Sequence, residues 1–449
     1  MEDEEPAEHF LAKIPHIFRD GFGKRDMAAP ENWERFQELF ARDSDLFDRP
    51  VILFIDEFDS LPQHVIDRLV TLFRDMYLKR ESYLIHGMAL IGVRAVLGVA
   101  SQRGSPFNIQ RSLHVPNLRH DEVRDLYRQY QDESGQPVLP DVVDAIYHAT
   151  KGQPGLACWF GELLTEKHNP GANRPIDLDA WKWSWHQAQY VEPNNTIMNL
   201  IAKARIPEYR DFLITLFTQS DRPFVFHNPL HNYLYLHGIL DSETVRQPNG
   251  ALAQICRFAS PFIQKCLYDA IGWELVGDAT PILALEPLDM LADVFEGAEL
   301  HLPALLQRYK DYLTRLKTRG INPWKDQPRR KTDLHLTEAV GHFHLYAWLH
   351  QAIGRRCVVS PEFPTGNGKV DIHVKCGEKR GIIEVKSFVD AYQLDEDKTQ
   401  AARYAKSLGF DTVTLTTFVP VEDDAVLAKL SGEHALDDVR VNVVAIGWM

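Results

Sequence analysis

The chain has 449 residues, 45% of them apolar and 25% charged. It is too long for one ordinary domain, and its composition is that of a folded protein with large cores. A formal net charge of −14 excludes a surface coated for indiscriminate nucleic-acid binding. No apolar run approaches the length of a membrane span and the N-terminus, MEDEEPAEHF, is acidic rather than leader-like, so a cytoplasmic protein without a membrane partner is expected.

The first fifty residues read as helix and then loop, with ENWERFQELFARDSDLF the best amphipathic piece. Val51–Ile55 is a continuous apolar run of strand length, bounded by Pro50 and by acids. It reads as a central parallel strand buried on both faces. A helix over Gln63–Lys79 and a second apolar strand, HGMALIGVRAVLGVA, complete a βαβ unit. Two helical patches follow, broken at Gly152–Pro154, and NPGANRPIDL marks a boundary near residue 172. Residues 190–275 read as short helices with one small strand pair. From Pro281 to Gly320 the pattern is helical, with Leu302, Leu305, Leu306, Tyr309, Tyr312, Leu313 and Leu316 on one face. Residues 308–331 hold nine Lys/Arg against two acids, a local net charge of +7 in an acidic chain. The remainder reads as helix, hairpin, helix, strand and a last strand, RVNVVAIGWM. Five cysteines (Cys158, Cys256, Cys266, Cys357, Cys376) form no C-x-x-C pair, so reduced thiols and no zinc ribbon are expected.

The hairpin GKVDIHVKCGEKRGIIEVKSF carries the sharpest chemistry. A turn over Cys376–Lys379 sets Lys375 opposite Arg380 and Asp371 opposite Glu384. Alternation then puts Ile372, Val374, Ile383 and Val385 on one face and Asp371, Glu384 and Lys386 on the other. Two carboxylates about 5 Å apart repel unless a cation lies between them. A hard divalent ion suits such a pair. Lys386, two residues on, points the same way. The bland alternative is a solvated face of mixed charge. The preceding helix, TDLHLTEAVGHFHLYAWLH, adds Glu338, and the following one, KTQAARYAKSLG, adds Gln400 and Tyr404 one turn apart. His335, His342, His344 and His350 lack a second motif with matching ligands, so a zinc site is not expected.

Helix-Glu, strand-Asp, strand-ExK and a Q-x-x-x-Y helix over residues 332–449 together resemble the PD-(D/E)xK nuclease superfamily in its RecB-like branch, although Asp371 follows Val370 and not proline. The resemblance implies Asp371 and Glu384 as ligands of Mg²⁺ or Mn²⁺, Glu338 as a further acid at the metal, and Lys386 as the catalytic lysine. It implies Gln400 and Tyr404 as supports of the site or contacts to DNA.

VILFIDEFDSLP has the form of a Walker B strand. In that form Asp56 would hold Mg²⁺ and Glu57 would polarise a water, with Arg94 the nearest sensor candidate; the alternatives are a buried strand that simply ends in acids at the solvent boundary and a structural arginine. Residues 45–275 resemble AAA-like and STAND-type P-loop ATPases, with a winged-helix module in NYLYLHGILD…RFASPFIQKCLYDAI. That resemblance implies ATP as a ligand, yet the chain has no G-x-x-x-x-G-K-S/T. GFGKRD and GNGKVD have no Ser or Thr after the lysine and do not sit between a strand and a helix.

The expected fold class is therefore multidomain α/β. Residues 1–172 would be an AAA-like domain without its phosphate loop, 173–278 a winged-helix-like domain, 279–331 a basic helical linker, and 332–449 a restriction-endonuclease-like domain. The expected function is metal-dependent DNA cleavage regulated by a degenerate ATPase module. DNA is the expected partner, and self-association is left open. The alternatives are a non-enzymatic STAND-like scaffold, or an ATPase whose phosphate loop precedes this sequence.

Overall fold

The computed structural model describes residues 7–23, 27–92, 115–171, 174–218, 222–247, 250–276, 284–285, 290–297, 299–325, 327–330, 332–362, 371–436 and 438–448. The chain forms two compact units, Met1–Pro116 and Asn117–Met449.

The first unit contains α1 (Ala7–Phe22), α2 (Trp33–Glu38), β1 (Val51–Ile55), α3 (Gln63–Leu78) and β2 (Ile85–Leu90). β1 and β2 pair in parallel, so β1–α3–β2 is the expected βαβ unit. The apolar stripe of α3 (Val65, Ile66, Leu69, Val70, Phe73, Met76) packs with Leu11, Ile14 and Phe18 of α1 and with Val51 and Leu53 of β1. β1 is not buried on both faces as its unbroken apolar run suggested. Ile52 and Phe54 are 54% and 73% exposed, because the packed layer covers only the side that Val51 and Leu53 face.

The second unit opens with helices α4 (His120–Ser134), α5 (Pro140–Thr150), α6 (Pro154–Glu162), α7 (Leu178–Tyr190), α8 (Asn195–Ala204), α9 (Pro207–Thr218) and α10 (Pro229–Leu236). The antiparallel ribbon β3 (Leu240–Arg246) and β4 (Leu252–Phe258) follows, then α11 (Pro261–Val276). One apolar cluster runs through all of these helices, from Val123 to Tyr268 and on to Phe343, so no core boundary falls near residue 172.

Next come α12 (Ala292–Phe295), α13 (Leu302–Thr318), α14 (Glu338–Ile353), β5 (Val358–Glu362), β6 (Asp371–Cys376), β7 (Lys379–Ser387), α15 (Ala391–Ser407), β8 (Thr412–Val419), α16 (Asp424–Leu430), β9 (Gly432–Leu436) and β10 (Val439–Gly447). The strands form one six-stranded sheet in the order β5-β6-β7-β8-β10-β9. β5, β6 and β7 are an antiparallel meander, and β8 then pairs parallel to β7 after the α15 crossover. The hairpin register is the expected one, with Lys375 opposite Arg380 and Cys376 opposite Lys379. Gly377, at φ 62°, supplies the positive φ that a two-residue turn needs.

Helices cover both faces of the sheet. Ile372, Val374, Ile383 and Val385 face α13 and α14. Ile382, Leu415, Val441 and Val443 face Leu394, Ala401, Ala402 and Ala405 of α15. The segment read as a basic linker is thus part of the core. Leu302, Leu305, Leu306, Tyr309, Tyr312 and Leu316 of α13 are all buried, an apolar face wide enough to dock the helix on the sheet layer. Cys357 and Cys376 form a disulfide, contrary to the expectation of reduced thiols. They meet because Val358 pairs with Lys375, which makes them the next pair along the β5–β6 ladder. Among the described residues, no helix is long and apolar enough to cross a membrane.

Candidate functional site at the end of β7

β7 is a central strand, buried from Gly381 to Ser387. Apolar residues explain most of that burial, but Glu384 and Lys386 lie within it at 3% and 2% exposure. They are not on a solvated face, because α15 closes the side of the sheet that they share with Ile382. Charges are rarely buried without a partner, since the desolvation cost runs to several kcal/mol per ion. The partner is local: Lys386 Nζ lies 2.5 Å from Glu384 Oε1. A second carboxylate arrives from α14, with Glu338 Oε1 3.6 Å from Lys386 Nζ. Glu338 is the first residue of α14, where a negative charge also complements the helix N-terminus.

Three predicted residues, Glu338, Glu384 and Lys386, therefore converge. Asp371 opens β6, and the ladder Ile372–Ile383, continued by one pair, sets it beside Glu384. Its side chain lies outside the described residues. Gln400 is exposed on α15 and Tyr404 is half-buried one turn further on. Asp56 and Glu57 lie exposed at the C-terminal end of β1, where Asp56 Oδ1 accepts the Glu57 N–H at 2.9 Å. Arg94 lies outside the described residues, as do both glycines and the lysine of GNGKVD.

The converging set carries two acids and one base, and Asp371 would add a third acid. Glu384 Oε2 is buried and has no hydrogen-bond partner among the described residues. An orphaned carboxylate oxygen in a site of net negative charge suits a divalent cation. No cluster of three or more His, Cys, Asp or Glu residues in metal-binding arrangement occurs among the described residues.

The histidines of α14 serve packing. His342 Nδ1 shares a 2.6 Å hydrogen bond with the Tyr268 hydroxyl of α11, and His344 Nδ1 shares one of 2.6 Å with the Tyr309 hydroxyl of α13. Burial pushes the His344 pKa down to about 4. The basic segment is also largely engaged within the fold. Arg308 pairs with Asp293, Lys317 with Glu422, and Arg315 donates to the Ala284 carbonyl.

Two residues beside the site were not among the candidate site residues, although Arg330 falls in the basic run over residues 308–331. Thr417 pairs with Lys386 across β7–β8, and its Oγ1 is buried without a partner among the described residues. The signal was present in TLTTF, a strand with threonines on both faces. Arg330 reaches the β7 exit from a loop, which no local pattern announces.

The architecture is thus mixed α/β, with a helical region followed by a helix-covered six-stranded sheet. No family model matches the chain, and no curated protein matches it. Among solved structures it is similar to the Thermotoga maritima RuvB Holliday junction branch migration motor, at 16% identity over 47% of this chain and 68% of that one, with a TM-score of 0.29. It is also similar to the Aeropyrum pernix ORC1 protein in complex with DNA, at 12% identity over 60% of this chain and 74% of that one, with a TM-score of 0.30. Likeness at that level does not define the fold of this chain.

Proposed function

We propose that the C-terminal α/β layer is a metal-dependent DNA nuclease site of the PD-(D/E)xK kind. The observation that carries the reading is the convergence of Glu338, Glu384 and Lys386 in a buried group at the end of a central strand. The chain order supports it: helix, three-stranded antiparallel meander, crossover helix and parallel strand, in α14–β5–β6–β7–α15–β8.

Glu384 and Asp371, with Glu338 beside them, would hold Mg²⁺ or Mn²⁺. When bound, such an ion supplies a hydroxide nucleophile near neutral pH and a counter-charge for the phosphoryl oxygens. Lys386 supplies a fixed ammonium, oriented by two carboxylates, toward the charge that develops in phosphodiester hydrolysis. Burial strengthens that interaction, because water does not compete for the ammonium.

In this reading the β1–α3–β2 unit is a degenerate ATPase-like module and the α9–β4 region is winged-helix-like, with both regulating the nuclease. The helix α10 followed by the β3–β4 ribbon supports the second assignment. Asp56 and Glu57 have no Gly-rich phosphate loop in the sequence, so the residues present do not fit ATP and no step is assigned to it.

The test is incubation of the purified chain with linear, circular and single-stranded DNA plus Mg²⁺ or Mn²⁺, beside Asp371→Ala and Lys386→Ala. Cleavage by the parent, reduced about a hundredfold or more in both variants, is expected. An inert parent that also shows no metal binding dependent on Asp371 and Glu384 would leave the scaffold reading in its place.

A further inference from the structure

One loop outside the predicted site lies directly against it. Residues 329–330 and 332–336 run back against each other, with an antiparallel bridge between Arg329 and Leu336. The Arg330 N–H donates to the His335 carbonyl at 2.8 Å, and the Leu334 N–H donates to the Arg330 carbonyl at 2.9 Å. Leu334 takes a positive φ of 59° to close the turn, a conformation that a branched L-residue adopts only under constraint. Two residues beyond Leu336 the chain becomes α14, beginning with Glu338.

The loop grips the exit of β7. Arg330 donates through Nη2 to the Phe388 carbonyl at 2.8 Å and through Nη1 to the Ser387 carbonyl at 3.4 Å. The Ser387 hydroxyl donates to the Leu336 carbonyl at 2.6 Å. Asp333 holds the guanidinium from the other side, at 3.0 Å from Nε and 2.7 Å from Nη2. Partial burial works against the Asp333 carboxylate, yet the His335 N–H and the Arg330 charge keep its pKa below the ordinary carboxylate value. The β7–β8 ladder ends at Ser387 opposite Phe418, and one further bond runs from the Phe388 N–H to the Phe418 carbonyl. Beyond that point the described bonds to the exiting strand come from this loop.

We infer that Arg330 is a positioning residue. It ties the backbone just after Lys386 to the turn just before Glu338, and so fixes the separation at which those two side chains meet. Lys386 and Glu338 belong to a strand and a helix that share no backbone ladder; beside the apolar packing of α14 on β7, this loop links them directly, through Arg330, through Ser387 and through His335 Nδ1, which lies 2.9 Å from Arg330 Nη2 and 3.3 Å from the Phe388 carbonyl. A planar guanidinium meets two successive carbonyls and a carboxylate at once, which an ammonium on a flexible stem does not reproduce. The catalytic consequence rests on the nuclease reading; the tie itself does not.

The test reads the lysine directly. The full chain, Arg330→Ala and Arg330→Lys are treated with acetic anhydride, and acetylation of each lysine is followed by mass spectrometry. Lys265, buried and paired with Asp269 between α11 and α14, is the internal control for general loosening. In Arg330→Ala the Lys386 rate is expected to rise about tenfold, an opening of about 1.4 kcal/mol, with Lys265 unchanged. Millimolar guanidinium chloride should slow it again, and Arg330→Lys should fall between. Lys386 rising together with Lys265, or not rising at all, overturns the inference. In the cleavage assay Arg330→Ala should lower kcat about tenfold with KM for DNA unchanged. Wild-type kcat in that variant also overturns the positioning role. A parent chain that shows the labelling pattern but cuts no DNA defeats the nuclease reading and leaves the tie standing.

Discussion

Gly341 in α14 faces the Phe418 ring of β8, and replacing it with alanine tests the packing that seats Glu338. A Cβ on Gly341 would lie 2.5 Å from Phe418 Cδ2, 2.6 Å from Cε2 and 3.1 Å from Cγ. Ordinary contact begins near 3.4 Å, so the overlap is about 1 Å. The ring has little freedom to yield: Phe418 is 1% exposed and lies against Trp324 and Tyr309 at centroid distances of 5.6 and 6.5 Å. In an open helix, Gly→Ala gains about 1 kcal/mol from propensity. Overpacking a filled core costs about 1–3 kcal/mol. The overlap should win, giving a net loss of about 1 kcal/mol, read from the urea midpoint at constant m-value. Phe418→Leu makes room, so the double variant should be more stable than the sum of the two single losses by about 1 kcal/mol. On the proposed nuclease reading, cleavage should fall in Gly341→Ala as well, because α14 would carry Glu338 away from Lys386. A higher midpoint in Gly341→Ala, or strict additivity in the double variant, refutes the packing.

Other expectations rest on separate features. His344 stays neutral in the folded state down to about pH 4, while in the unfolded chain it takes a proton below about pH 6.5, so stability should fall with pH between those limits by about 3 kcal/mol. His344→Gln, which can still accept from Tyr309, should lose that slope in denaturation curves measured across the window. Reduction of Cys357–Cys376, which closes a loop of separation 19, should cost about 3 kcal/mol. Cys376→Ser should match the reduced parent and ignore reductant, and a parent Tm unmoved by dithiothreitol counts against the bond. Ser387→Ala should cost about 1 kcal/mol through loss of the bond to Leu336, without altering m.

The hairpin register was readable because a Gly-containing turn and strict alternation over Ile372–Val385 admit few pairings. The same alternation misjudged exposure, since it describes one strand and says nothing of α15 closing the second face. That is why Glu384 and Lys386 were legible as neighbours but not as a buried pair. β5 escaped notice because VVSPE contains Pro361, which a strand tolerates at a sheet edge, where β5 lies. The cysteine pairing followed from the β5 register and was hidden with it. The basic run over residues 308–331 was plain in sequence, but its partners, Asp293, Glu422 and the Ala284 carbonyl, come from segments before and after it. Charge counting along a chain does not reveal such distant partners.

α14 is a wall shared by two rooms. Ala339 and Phe343 belong to the cluster of the helices before it, while Val340, Leu345, Trp348 and Leu349 belong to the cluster beneath the sheet. Tyr268 and Tyr309 bolt it from either side through His342 and His344. The segment over residues 332–449 is therefore not a cassette. A recombination event that joined residues 332–449 to a new N-terminal half would cut through one core and bare Phe343 and His342 to water. Such a graft would have to bring a substitute for α11 with it.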